Sequence, residues 1–149
     1  MDLREAMRKQ NDVAVNLSMN VLSSATKDSN VIFSPASINS AITMHAAGPG
    51  GESIASEILS FLRSSSIEEL KTIFREISSV VFADHSASGG PKITAANGLR
   101  YPRLIKKKKS YKDLFENFFN SVYAPVDFRS KVKFHLLFRK LGFRPPRKI

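Results

Sequence analysis

There is no cysteine among the 149 residues. That absence removes disulfides, thiolate metal sites and a cysteine nucleophile from consideration. No apolar run approaches the ~18 residues that a membrane-spanning helix needs, so no membrane partner is expected. The first residues, Met1-Asp2-Leu3-Arg4-Glu5, are polar where a secretory leader would carry an apolar core, and the expected location is the cytoplasm. Acid is missing from residues 129–149 altogether, while the overall charge is +10. The imbalance is local. Residues 1–99 hold 8 Lys/Arg against 10 Asp/Glu, and residues 100–149 hold 15 against 3. The basicity thus belongs to the last third, as in a basic tail or a polyanion-binding surface.

Residues that could carry catalysis are as sparse as cysteine. His45 is isolated on a small-residue helix. Asp84, His85 and Ser86 are neighbours in sequence, but no nucleophile elbow or oxyanion loop surrounds them. Gly48-Pro49-Gly50-Gly51 precedes a helix without the Gly-Lys-Ser/Thr or Gly-x-Gly-x-x-Gly spacing that a phosphate loop requires. No enzyme, cofactor or metal site is expected. One candidate for polyanion contact remains: Arg100, Arg103, Lys106, Lys107, Lys108, Lys109 and Lys112, together with the tail. These lysines form one solvated block without interleaved aromatics for base stacking, so nucleic acid is disfavoured as a partner.

What is present is enough for one core. Hydrophobic residues make up 42%, which is the composition of a folded domain. The periodicity of Leu3, Met7, Ala14, Leu17 and Val21 predicts a helix over 3–23. Val31 to Phe33 is a short apolar run of high β-propensity and reads as a buried strand. Ser34 can cap the helix that follows, Pro35 suits its first position, and Ser37 adds a second hydroxyl to the same turn. That helix is expected over 35–47, with Ile38, Ala41, Ile42 and His45 on one side and small residues allowing close packing. The glycine-rich turn ends it. A short helix follows over 52–62. Ser66 and Glu69 then form a Ser-x-x-Glu capping signature for a helix reaching about residue 83, with Leu70, Ile73, Phe74, Ile77, Val80 and Val81 on its apolar face. Residues 84–91 read as a loop and 92–101 as a strand. Ser110 is placed as the cap of another helix, rich in Phe115, Phe118 and Phe119. Residues 121–128 alternate as an edge strand interrupted by Pro125.

The octapeptide Asn30-Val31-Ile32-Phe33-Ser34-Pro35-Ala36-Ser37 resembles the Asn-x-x-x-Ser-Pro-x-Ser stretch of the serpins, the serine protease inhibitor family. Lys92 to Leu99, with the wording Ala-Ala-Asn-Gly-Leu, is similar to a strand of that family's central sheet, and this wording and the Gly-Pro-Gly-Gly turn look most like plant members. The motif residues carried over are Asn30, Ser34, Pro35, Ser37, Asn97 and Gly98. The resemblance covers about residues 1–129 and implies an α+β fold: the N-terminal helical part of a serpin with two or three strands, followed by a divergent basic tail at 130–149. Arg100 departs from it, standing where members usually carry an aromatic residue. The break after Arg129 is what a changed reading frame or a novel exon would produce.

A serpin traps its protease by offering an exposed reactive loop, which inserts into the central sheet after acyl-enzyme formation. Loop, hinge and most of the receiving sheet lie toward a serpin's C-terminal end, and no stretch here matches them. The resemblance therefore implies serine or cysteine proteases as family partners, a truncated chain without inhibitory activity of its own, and self-association through unburied apolar faces. It also leaves the extracellular space open as a location.

Overall fold

The computed structural model describes residues 2–25, 30–93, 95–102 and 109–126. The chain divides into two compact units, Met1–Ala95 and Ala96–Ile149.

The first unit is helical throughout its described elements. Helix α1, Leu3–Ser24, begins where the Asp2 carboxylate accepts from the Arg4 amide at 3.0 Å. Helix α2 spans Pro35–Ala47, α3 Ala55–Phe61 and α4 Ile67–Glu76. A 3-10 turn at Gly51–Ser53 leads into α3, and α4 widens into a π-helical turn at Ile77–Val81. Helix α2 packs on α1, α3 and α4, and α1 also meets α4. Ala46, Ile58, Leu62 and Leu70 form a core cluster, with Ile42, Ile54, Leu59 and Ile67 against it. Ile73 and Phe74 are also buried.

The close packing has a local cause at Gly51. A Cβ there would stand 2.3 Å from the Ala46 carbonyl oxygen, so only glycine lets the chain fold back over the end of α2. Gly50, at φ 81°, makes the preceding reversal. The small face of α2 differs from the one periodicity indicated. Ser40, Thr43, Met44 and Ala46 are buried, whereas Ala41 and His45 are exposed. Polar hydroxyls can lie inward because each finds a local acceptor: Ser40 Oγ donates to the Ala36 carbonyl at 2.9 Å.

Three further expectations are corrected in this unit. Residues 31–33 form no strand; they run extended into α2, with Ile32 101% exposed. A strand exists only as a paired ladder, and no described residue pairs with this run, so β-propensity alone has nothing to bond. Residues 92, 93 and 95, and Ala96 at the start of the second unit, likewise fall outside any strand. Val80 and Val81 are exposed rather than inward, because the π-helical turn breaks the 3.6-residue register that carried Leu70, Ile73 and Phe74 inside.

The second unit is a strand–helix–strand arrangement. Strand β1, Asn97–Pro102, pairs parallel with β2, Ser121–Val126, from Asn97 opposite Ser121 to Pro102 opposite Val126. Parallel neighbours need a crossover, and here it contains helix α5, Lys109–Asp113, continued by a π-helical turn at Leu114–Phe118. Helix α5 starts at Lys109, so Ser110 lies inside it rather than capping it. Phe115 and Phe119 are fully buried, their ring centroids 5.7 Å apart, and Phe118 meets Phe119 edge-on at 5.0 Å. Asn120, at φ 47°, turns the chain from this helix into β2, a left-handed position that asparagine tolerates. Pro125 sits within β2 opposite Tyr101 and does not interrupt it. The basic tail at 130–149 lies outside the described residues.

Candidate functional site

The junction at Asn30 to Ser37 opens α2 as its residue types dictate. Ser34 is extended, φ −125° and ψ 97°, and its Oγ accepts from the Ser37 amide at 3.3 Å. The two hydroxyls lie 2.9 Å apart, each able to donate to the other. Pro35 occupies the first helical turn, where its missing N–H leaves no bond unmade. Asn30, Ser34 and Ser37 are exposed and Pro35 is half-buried. The motif thus sits at one end of a layer of helices, and its hydroxyls serve the helix start.

Beside it lies a feature that pattern reading missed. Gln10 of α1 is buried, and its side-chain amide joins two other segments. Its Oε1 accepts from Asn39 Nδ2 of α2 at 2.6 Å, and its Nε2 donates to Ser64 Oγ between α3 and α4 at 2.8 Å. Thr43 Oγ1 extends the chain to Asn39 Oδ1 at 3.4 Å. One interior amide therefore ties three segments in a fixed register, since leaving either end unpaired inside the core costs more than the bond contributes. The available signal was a polar residue four after Ala6 on the buried face of an amphipathic helix.

An uncharged groove of about 320 Å³ runs between α1, α2 and α4 next to Pro35. A shallower one, about 470 Å³, is flanked by His45, Ile54, Glu57 and Phe61. Neither brings together a nucleophile with a base. Among the described residues no three His, Asp or Glu side chains converge to hold a metal ion. No helix among them is long and apolar enough to cross a membrane. Asp84 and Ser86 meet only as a turn: the Ser86 hydroxyl and then its amide, which donates to Oδ1 at 2.9 Å, hold the Asp84 carboxyl below its ordinary value.

In the second unit, Asn97 Nδ2 donates to the Phe119 carbonyl at 3.2 Å, fastening β1 to the end of the crossover helix. Gly98 lies opposite Val122, where a Cβ would stand 3.8 Å from the carbonyl oxygen, an ordinary contact. Of the basic candidates, Lys109 and Lys112 are exposed on α5, and Lys112 Nζ stands 3.6 Å from Glu116. Arg100 lies in β1. Arg103, Lys106, Lys107 and Lys108 lie outside the described residues. The described part of the basic block is therefore partly neutralised, by Glu116 beside Lys112.

The family model for Serpin (serine protease inhibitor) matches residues 8–135. The chain belongs to the serpin family. Serpins are protease inhibitors, and the relatives are plant proteins. Serpin-Z1 of Arabidopsis thaliana is 69% identical over 133 residues, covering 89% of this chain and 34% of the relative. A second Arabidopsis thaliana relative, with the name "Probable non-inhibitory serpin-Z5", is 54% identical over 136 residues, 89% of this chain and 31% of its own. The native stressed conformation of Arabidopsis AtSerpin1 superposes with a TM-score of 0.76 at 42% identity, covering 88% of this chain and 33% of that one. The chain thus spans about a third of the length of Serpin-Z1 and of AtSerpin1, and its helix-rich fold, with two strands among the described residues, corresponds to the N-terminal part of the serpin fold.

Proposed function

We propose that this chain builds the N-terminal helical part of a serpin and that the 149-residue polypeptide, by itself, inhibits no protease and catalyses no reaction. The observation that carries this is extent: the matched segment is about a third of Serpin-Z1 and of AtSerpin1. Serpin inhibition requires a bait loop and a sheet to receive it, and no stretch of this sequence resembles the loop, its hinge or most of that sheet. The name of one relative, "Probable non-inhibitory serpin-Z5", is in keeping with family membership without inhibition. The groups that this chain does bring together, Ser34 with Ser37 and Gln10 with Asn39 and Ser64, bond to one another and present no nucleophile to a substrate.

The test is incubation with trypsin, chymotrypsin and papain, followed by electrophoresis in dodecyl sulfate. The expected result is degradation of the chain with full residual protease activity. A covalent complex surviving the detergent would overturn the proposal, because it requires an acyl-enzyme trapped before hydrolysis.

A further inference from the structure

Asn97 is the one asparagine of this chain followed by glycine; every other is followed by a residue that carries a side chain. An asparagine–glycine step is chemically labile, because the next amide nitrogen can reach the side-chain carbonyl carbon when no β-carbon crowds it. Here the step opens β1. Asn97 is half-buried and Gly98 exposed, so water reaches both. Two features of the second unit hold the reaction back. A parallel strand keeps ψ near about +115°, which turns the Gly98 nitrogen away from Asn97 Cγ. The Asn97 side-chain amide is also held, donating from Nδ2 to the Phe119 carbonyl at 3.2 Å. No close approach demands glycine at 98, since an added Cβ would meet only the Val122 carbonyl oxygen, at 3.8 Å.

We propose that Asn97 is a deamidation site gated by the pairing of β1 with β2, and that its product keeps the two strands from pairing again. When β1 is released, Asn97 turns until the Gly98 nitrogen meets Cγ. Hydroxide takes the Gly98 amide proton, the nitrogen bonds to Cγ, and the Cγ–Nδ2 bond breaks. Nδ2 leaves as ammonia with a proton from water, which regenerates the hydroxide. Water then adds to either carbonyl of the cyclic imide and leaves aspartate or isoaspartate at position 97. Both products lack the Nδ2 donor. Their carboxylate stands in its place beside the Phe119 carbonyl oxygen, where two acceptors cannot bond. Phe119 keeps the hydroxyl of Ser121 as a donor, at 3.2 Å, but β1 loses its fastening. In isoaspartate the main chain also runs through Cβ, and the added methylene breaks the register from Asn97 opposite Ser121 to Pro102 opposite Val126. A reversible opening of the strand pair is thereby made permanent.

The test ages the full 149-residue chain at mildly alkaline pH, in buffer and in urea. Tryptic peptides are mapped by mass spectrometry, and isoaspartate is labelled with a protein isoaspartate methyltransferase. Conversion is expected at Asn97 ahead of every other asparagine. It should run about tenfold or more faster in urea than in buffer, because only the opened strand reacts. Gly98→Ala should slow the reaction in urea about tenfold or more, since its methyl group crowds the attacking nitrogen. Phe119→Ala removes a fully buried side chain of this unit and should raise the rate in buffer toward the urea value. Asn97→Asp supplies one product directly and should speed hydrogen exchange of the β2 amides about tenfold. The proposal is overturned by equal rates in buffer and urea, or by earlier reaction at another asparagine. It is equally overturned by a Gly98→Ala chain that ages like the original, a Phe119→Ala chain that ages no faster, or unchanged β2 exchange in Asn97→Asp.

Discussion

Arg63 is held at φ 52° immediately after α3, where helices most often place glycine. The bonds around it are those of a Schellman cap: the Arg63 amide donates to the Ser60 carbonyl at 3.2 Å and the Ser64 amide to the Leu59 carbonyl at 2.9 Å. This turn also delivers Ser64 to Gln10, so the strain at Arg63 helps align the buried amide network. Arg63→Gly should stabilise the first unit by about 1 kcal/mol, since the left-handed penalty of a β-carbon disappears. Its exposed guanidinium, 4.0 Å from Asp12, gives up little when lost. Urea unfolding followed by helical ellipticity measures this, and an unchanged or lower midpoint refutes it. Asp84 gives a second residue-scale expectation. Its lowered carboxyl value means that its contribution to the turn is present above the ordinary value of 3.8 and is lost as pH falls through the folded value. Ser86→Ala should move the Asp84 midpoint upward in a carboxyl carbon NMR titration while leaving the amide bond in place. Ser34 and Pro35 were legible because capping is a local rule. Gln10 was not, because its partners lie 29 and 54 residues away.

Among the elements, α4 shows what sequence pattern can and cannot deliver. Its start was readable, and Ser66 Oγ does accept from the Glu69 amide at 3.2 Å. The other half of the box differs, because the Glu69 carboxylate is engaged by the hydroxyl of Ser65. Ser66→Ala should therefore cost about 1 kcal/mol. Leu70→Ala, at a position with no exposure, should cost about 2–5 kcal/mol through lost burial and a residual cavity. Chemical denaturation of the two variants orders them, and equal losses would mean that α4 is not the centre of this core. Its end was less readable, since a π-helical turn changes which residues face inward without changing their hydrophobicity. The strand expectations at 31–33 and at 92, 93, 95 and 96 failed for a different reason. Strand formation is decided by a distant partner, and β1 forms only over the six residues whose register β2 supplies.

For the molecule as a whole, the balance between covered and uncovered apolar surface decides its behaviour. Leu70, Ile73, Phe74, Phe115 and Phe119 are well buried. Yet Val15, Met19 and Leu22 form an exposed stripe along α1, and Ile32, Phe61, Val80 and Val81 are exposed elsewhere in the first unit. A unit of this size buries a smaller fraction of its surface than a full-length relative, while the conformational entropy lost per residue is the same. Its net stability is correspondingly small, and its open faces favour association with increasing concentration. The expected melt is broad, with a midpoint below about 45 °C, under the usual range for stable small domains. It should be accompanied by binding of a hydrophobic dye at temperatures where the helices are still intact. A sharp, concentration-independent melt of a dye-silent monomer well above that temperature would show instead that the exposed apolar side chains cost the fold little and that the described elements are stable by themselves.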